Sequence, residues 1–215
     1  MPRLVAVSGS TRRPSRTRTL VEAVAARVAR ARPVTVEVYD LIDAGPGLGA
    51  AHTREALTPE AARVVEAIES ADALIVGTPV YKGSYAGLFK HLFDLVEPSA
   101  LENVPVVLTA NGGGPLHGLV VEHGLRPLFG FFAALTVPTA IYACDRDFLD
   151  GRLVGATVLT RVEAAADQLT ALLTARSLGT AQGETSASDR SPCAPVPAAG
   201  AAAWRPEAQG EQDAA

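Results

Sequence analysis

Cysteine is almost missing from this chain: Cys144 and Cys193 stand far apart and form no CxxC pair. That excludes a disulfide framework and a cysteine metal site as the basis of the fold. Excess basic charge is missing as well, and a net charge of −4 argues against a chain built mainly to hold nucleic acid. No apolar run is long enough to span a membrane. The opening run Leu4-Val5-Ala6-Val7 is cut off at once by Ser8-Gly9-Ser10, too early for a signal-peptide core. The expectation is a cytoplasmic protein with neither membrane nor nucleic acid among its partners. No internal repeat divides the chain.

With 48% of residues apolar and 20% charged, the sequence has the make-up of a globular domain. That make-up ends near residue 178. Beyond it Ala, Gly, Pro, Ser and Gln dominate, and such a segment cannot bury enough apolar surface to offset its ordering entropy. The chain is therefore read as a folded domain over residues 1–178 and a disordered Ala/Pro/Gly-rich tail over 179–215, with Trp204 an incidental aromatic.

Within the domain, strands alternate with helices. Leu4 to Val7 reads as a buried strand, and a Ser/Thr/Arg loop separates it from a helix carrying Leu20, Val21, Val24 and Val28. Residues 34–39 alternate like a strand, and Thr58-Pro59-Glu60 opens a second helix with a cap and a proline at its first position. A third strand over 73–76 is expected to stop at Gly77-Thr78-Pro79. Leu88, Phe89, Leu92 and Phe93 mark a third helix, and a fourth strand over 104–108 runs on into Ala110-Asn111-Gly112-Gly113-Gly114. One long helix is expected over 116–135, irregular at Pro127, then a fifth strand over 137–142 and a last helix. The fold class is α/β: a flavodoxin-like, doubly wound five-stranded parallel sheet of order 2-1-3-4-5, with helices on both faces.

In such a sheet, ligands bind beyond the carboxyl ends of the strands where the winding reverses, here between strands 1 and 3. The loop after strand 1, Ser8-Gly9-Ser10-Thr11-Arg12-Arg13-Pro14-Ser15-Arg16-Thr17, contains neither GxxxxGK[ST] nor GxGxxG. It offers hydroxyls, guanidinium groups and the leading N–H groups of a helix, which together suit a phosphate dianion. Taken alone it is equally a capped helix start, and Arg27, Arg30 and Arg32 fit a solvated helix face. The loop after strand 3, Gly77 to Tyr85, adds a wall of Pro79, Val80 and Tyr81 along which a planar ring can lie, although Tyr81 and Tyr85 also suit half-buried packing. Asn111-Gly112-Gly113-Gly114 has no bulk and presents amides to the polar edge of such a ring. His117 lies near that glycine run, whereas His91 and His52 read as a packing or surface residue and a loop residue.

At these residues the sequence resembles a known family. Gly9-Ser10-x-Arg12-x-x-Ser15, then Thr78-Pro79-Val80-Tyr81-Lys82-Gly83-Ser84-Tyr85-x-Gly87-Leu88-Phe89-Lys90, then Gly112-Gly113, are similar to NAD(P)H-dependent FMN reductases. Within that family the likeness is to the reductase components of two-component alkanesulfonate and methanesulfonate monooxygenases. It covers about residues 3–175, including Glu122-His123-Gly124-Leu125-Arg126-Pro127 and Ala143-Cys144-Asp145-Arg146-Asp147-Phe148. The resemblance implies reduction of FMN by NADH or NADPH and delivery of reduced FMN to an FMNH2-dependent monooxygenase, by a homodimer or homotetramer. It implies that Ser10, Arg12, Ser15, Arg16 and Thr17 hold the FMN phosphate. Thr78, Pro79, Val80, Tyr81 and Lys82 would flank the isoalloxazine, and Gly112 and Gly113 its pyrimidine side. The alkanesulfonate branch carries a tyrosine inserted as a π-bulge in its long helix. Here His123, followed by Gly124, takes that place, as in the methanesulfonate branch.

Hydride passes from nicotinamide to flavin N5, and the cofactors supply that chemistry. No catalytic acid or base and no metal ligand is therefore assigned. An FMN-retaining quinone or azo reductase is the alternative within the class. A flavodoxin-type electron carrier is a more distant one, opposed by the arginine-rich first helix. A phospho-receiver domain is rejected, because Ser8-Gly9-Ser10 and Gly77-Thr78 stand where its acidic residues would be.

Overall fold

The computed structural model describes residues 1–183. β1 (Arg3–Ser8) is followed by α1 (Arg16–Ala31), β2 (Thr35–Asp40), α2 (Pro59–Glu69) and β3 (Ala73–Tyr81). The short β4 (Ser84–Tyr85), α3 (Gly87–Asp94) and β5 (Pro105–Gly112) come next. A π-helical segment (Val121–Leu125) leads into α4 (Arg126–Phe131). Then come β6 (Leu135–Thr136), β7 (Ile141–Cys144), the hairpin β8 (Phe148–Leu149) and β9 (Arg152–Leu153), and α5 (Ala156–Gly183). Most of the tail expected to be disordered, residues 184–215 with Cys193 and Trp204, lies outside the described residues. Among the described residues, no helix is long and apolar enough to cross a membrane.

The sheet runs β2-β1-β3-β5, with β6 and β7 pairing in tandem against β5, and all of these pairs are parallel. With β6 and β7 counted as one interrupted strand, this is the flavodoxin-like order. Pro138 makes the interruption, since it has no N–H to donate. Side chains serve the backbone there: Arg126 donates to the carbonyls of Val137 (3.1 Å) and Pro138 (3.4 Å), and Gln168 accepts from the N–H of Thr139 at 2.9 Å.

Strand residues alternate between two apolar layers. Val5, Val7, Leu74 and Val76 pack with Ile68 of α2, Phe89 and Phe93 of α3 and Phe129 of α4. Leu4, Ala6, Ile75 and Val107 pack with Leu20 and Val24 of α1 and Val162 and Leu169 of α5. Each fully buried side chain of this kind contributes roughly 1.5–3 kcal/mol. A one-residue slip of any strand would exchange its layers, so the core fixes where the strand ends fall.

Besides the divided fifth strand, two elements depart from the expected layout. β3 does not stop at Gly77: Thr78 and Pro79 pair with Ala110 and Asn111 of a lengthened β5, and the chain then folds back, Val80 against Tyr85 and Tyr81 against Ser84. Lys82 and Gly83 make the turn with φ of 52° and 83°, the double left-handed conformation of a type I′ hairpin. The single helix expected over 116–135 is divided into a 3-10 turn (Pro115–His117), the π-helical segment and α4. Pro127 withdraws the N–H that would bind the carbonyl of His123, and its ring crowds that carbonyl. The chain widens upstream, so that the N–H of Arg126 reaches the carbonyl of Val121, and His123 lies inside the widened turn.

Candidate active site

The carboxyl ends of β1, β3 and β5 lie side by side, and the segments leaving them border a cleft of about 740 Å3. At one end sits the loop between β1 and α1. Ser15 caps α1, its Oγ accepting from the N–H of Arg18 at 3.2 Å. The N–H groups of Arg16 and Thr17, leading the helix, have no intrahelical acceptor. They and the helix dipole favour an anion at this end.

The arginines of this region divide into three kinds. Arg13 grips the fully buried Asp40 carboxylate at 2.6 and 2.9 Å and reaches Asp43 at 2.8 Å. Arg18 adds a 2.8 Å contact to Asp40 and another to Glu22. These bonds to Asp40 and Asp43 push the Arg13 pKa up. Burial pushes the Asp43 carboxyl up, but hydrogen bonds from Arg13 and the Asp40 N–H, with the charges of Arg13 and Arg18, leave it below its ordinary value. Arg13 and Arg18 therefore tie the loop to the end of β2, aided by the Leu41 N–H donating to the Ser10 carbonyl at 3.2 Å. Arg16 forms a 2.6 Å ion pair with Asp145, which follows β7. The guanidinium of Arg12 has no hydrogen-bond or ion-pair partner among the described residues.

The far wall is made by Pro79, Val80 and Tyr81 at the tip of β3, and by Asn111, Gly112 and Gly113 at the end of β5. A Cβ at Gly112 would lie 2.5 Å from the Tyr142 hydroxyl, which donates to the Gly114 carbonyl at 2.6 Å, so a side chain there would have to displace that bond. A Cβ at Gly113 would meet nothing within 4 Å. The protein does not need that glycine, but a ligand lying close to the backbone would.

Of the residues singled out in the sequence, Ser10, Arg12, Ser15, Arg16, Thr17, Pro79, Val80, Tyr81, Gly112 and Gly113 all line this cleft. Besides the capping Ser15, two of these have hydroxyls already committed. Ser10 bonds to the backbone of Arg12, and Thr17 donates to Asn111 Oδ1 at 2.6 Å. Thr78 and Lys82 do not line the cleft. Thr78 is fully buried, with Oγ1 donating to the Pro79 carbonyl and accepting from the Ala86 N–H, both at 3.0 Å, and Lys82 sits in the hairpin turn.

Arg13 and Asn111, named in the sequence only as parts of their loops, line the cleft too, and so do Asp145 and Gly151, which the sequence did not single out for the site. Asp145 falls just past the carboxyl end of β7. The rule that located the first two loops would have found it had it been applied to the last strand. The assembled surface pairs a cationic, hydroxyl-rich end with a flat wall carrying backbone amides. It fits a phosphomonoester attached to a planar heterocycle.

The model of a protein family described as NADPH-dependent FMN reductase matches residues 2–148. An FMN reductase (NADPH) of Pseudomonas aeruginosa is 45% identical over 175 residues, covering 81% of this chain and 94% of that protein. An NADH-dependent FMN reductase, SfnF, of Pseudomonas fluorescens is 45% identical over 166 residues, covering 77% of this chain and 89% of that one. Among solved structures, an oxidoreductase from Corynebacterium diphtheriae aligns with a TM-score of 0.73 at 33% identity, covering 81% of this chain and 98% of its own.

Proposed function

The chain belongs to the NADPH-dependent FMN reductase family, and on that premise we propose how its cleft is used. The first loop takes the FMN phosphate, the β3–β4 hairpin and the glycine run take the ring, and reduced flavin passes to a partner monooxygenase. The activity is that of an oxidoreductase: hydride transfer from NADH or NADPH to FMN. FMN, when bound, supplies the hydride-accepting atom.

Arg12 carries this reading. Among the described residues it is the cleft arginine without a protein partner, beside the first turn of α1, and a phosphate dianion is the group such a position recognises. Ser15, Arg16 and the leading amides of α1 complete that end, with Ser10 and Thr17 holding its shape. Pro79, Val80 and Tyr81 support the ring, with Gly112 and Gly113 against its polar edge. Thr78 and Lys82 act through the hairpin they fasten and turn.

Delivery to a monooxygenase is supported by the openness of the rim, where Arg12, Arg16 and Tyr81 are all exposed. We place the enzyme in the cytoplasm as a homodimer or homotetramer. The apolar side chains Leu116, Leu119 and Phe131, 91%, 67% and 70% exposed, lie along the segment from the 3-10 turn to the end of α4 and support an interface on it.

Steady-state oxidation of NADH and NADPH, with FMN and with riboflavin as acceptor, tests the reading. Preference for FMN, with initial-rate patterns of a ternary complex, is the expected result. Double-displacement patterns with flavin retained through gel filtration would overturn delivery, and equal use of the two flavins would overturn the phosphate site.

A further inference from the structure

An acid on the rim of a site for a dianion calls for a reason. Asp145 lines the cleft, half exposed, and its Oδ1 lies 2.6 Å from Nη1 of the equally half-exposed Arg16. Arg16 also stands over the Phe148 ring, 5.9 Å from its centroid, and Thr19 of α1 bonds to the Gly151 carbonyl at 3.2 Å. The hairpin following Asp145 is thus held against the first turn of α1. The contrast is with Asp40, whose carboxylate is fully buried beneath Arg13 and Arg18 and has no route to exchange partners. The Arg16–Asp145 pair is exposed, single-contact and next to the phosphate end, so an incoming phosphate can compete for it.

We propose that Asp145 sets the affinity for flavin phosphate by competing with it for Arg16. With Asp145 on it, Arg16 enters the complex already neutralised, and the incoming dianion meets Arg12 as the one cleft arginine with no carboxylate partner among the described residues. The site then recognises the phosphate without holding it tightly, as an enzyme that passes on its flavin requires. Asp145 is on this view a specificity-tuning residue that acts through Arg16. The inference rests on the reading of the first loop as the phosphate site.

Titration of the purified enzyme with FMN and with riboflavin, followed by flavin fluorescence, tests it in the wild type, Asp145→Asn, Arg16→Gln and the double variant. Asp145→Asn is expected to tighten FMN about twofold to fivefold, the range set by half-exposed ion pairs. Riboflavin affinity should stay constant, and the gain should shrink as salt is raised. In the Arg16→Gln background the same change should have no effect. Unchanged FMN affinity, an equal change for both flavins, or a gain that persists without Arg16 would each overturn the proposal. Asp145→Ser gives a second route should the asparagine variant fold poorly. If the wild type itself binds the two flavins equally, the phosphate-site reading fails, an outcome separate from a null effect at Asp145.

Discussion

Arg13 holds Asp40 through two guanidinium nitrogens, at 2.6 and 2.9 Å, and so pins the loop after β1 to the end of β2. The carboxylate also accepts from Arg18 and from the N–H of Ile42, all with its side chain fully buried. Asp40→Asn keeps the shape and removes the charge. Loss of charged hydrogen bonds at a buried acceptor is expected to cost about 2 kcal/mol, read as a lower urea midpoint. The KM for FMN should rise more than that for riboflavin, because the loop loses its anchor. An unchanged KM ratio would separate the cluster from flavin recognition.

Among the carboxyls held below their ordinary values are Glu37, by the Tyr39 hydroxyl and then Arg3, Glu122, by Arg126, and Asp43, where burial is outweighed by Arg13 and the Asp40 N–H. The unfolded chain therefore takes up protons first as pH falls. Their stabilisation is complete above the ordinary carboxylate range of about 4, and is lost as pH falls through the depressed folded values. Urea midpoints should be flat near neutrality and drop below about pH 4–5. Asp43→Asn should make that drop shallower, and an unaltered slope would contradict this assignment.

Neighbouring glycines should behave oppositely. Gly112→Ala puts a Cβ 2.5 Å from the Tyr142 hydroxyl, and overpacking of this kind costs roughly 1–3 kcal/mol. Adding Tyr142→Phe should restore part of the stability, since the next ring atom is 3.6 Å away. Gly113→Ala should leave the thermal midpoint within a degree or so but raise the KM for flavin several-fold. Thermal melts with parallel kinetics distinguish the two, and a stable Gly113→Ala enzyme with normal KM would move the ring away from this glycine.

Much of this architecture was legible in the sequence. The alternation of apolar strands with helical stripes specified a doubly wound sheet, and the sheet order then located the cleft. The hairpin at Lys82-Gly83 was not legible, because a type I′ turn is ordinarily announced by Asn-Gly or Asp-Gly and lysine carries no such signal. The widened turn at His123 was hidden from periodicity for a related reason: the apolar stripe of Val121, Leu125 and Phe129 reads as one helix, and beyond Pro127 only the family resemblance pointed to His123. The long-range ion pairs were illegible altogether. Arg13 meets Asp40 across 27 residues and Arg16 meets Asp145 across 129, and no local pattern encodes either partner. Which arginine stays free for a ligand thus became visible only in three dimensions.

If Arg12 meets the flavin phosphate, the KM for FMN and for riboflavin will show it in the wild type and in Arg12→Gln. The expected result is a wild-type preference for FMN that Arg12→Gln reduces about tenfold or more, as loss of a charged hydrogen-bonding partner predicts, with the riboflavin KM and the maximal rate little changed. An FMN preference that survives Arg12→Gln intact, or a riboflavin KM that rises in step, would contradict it.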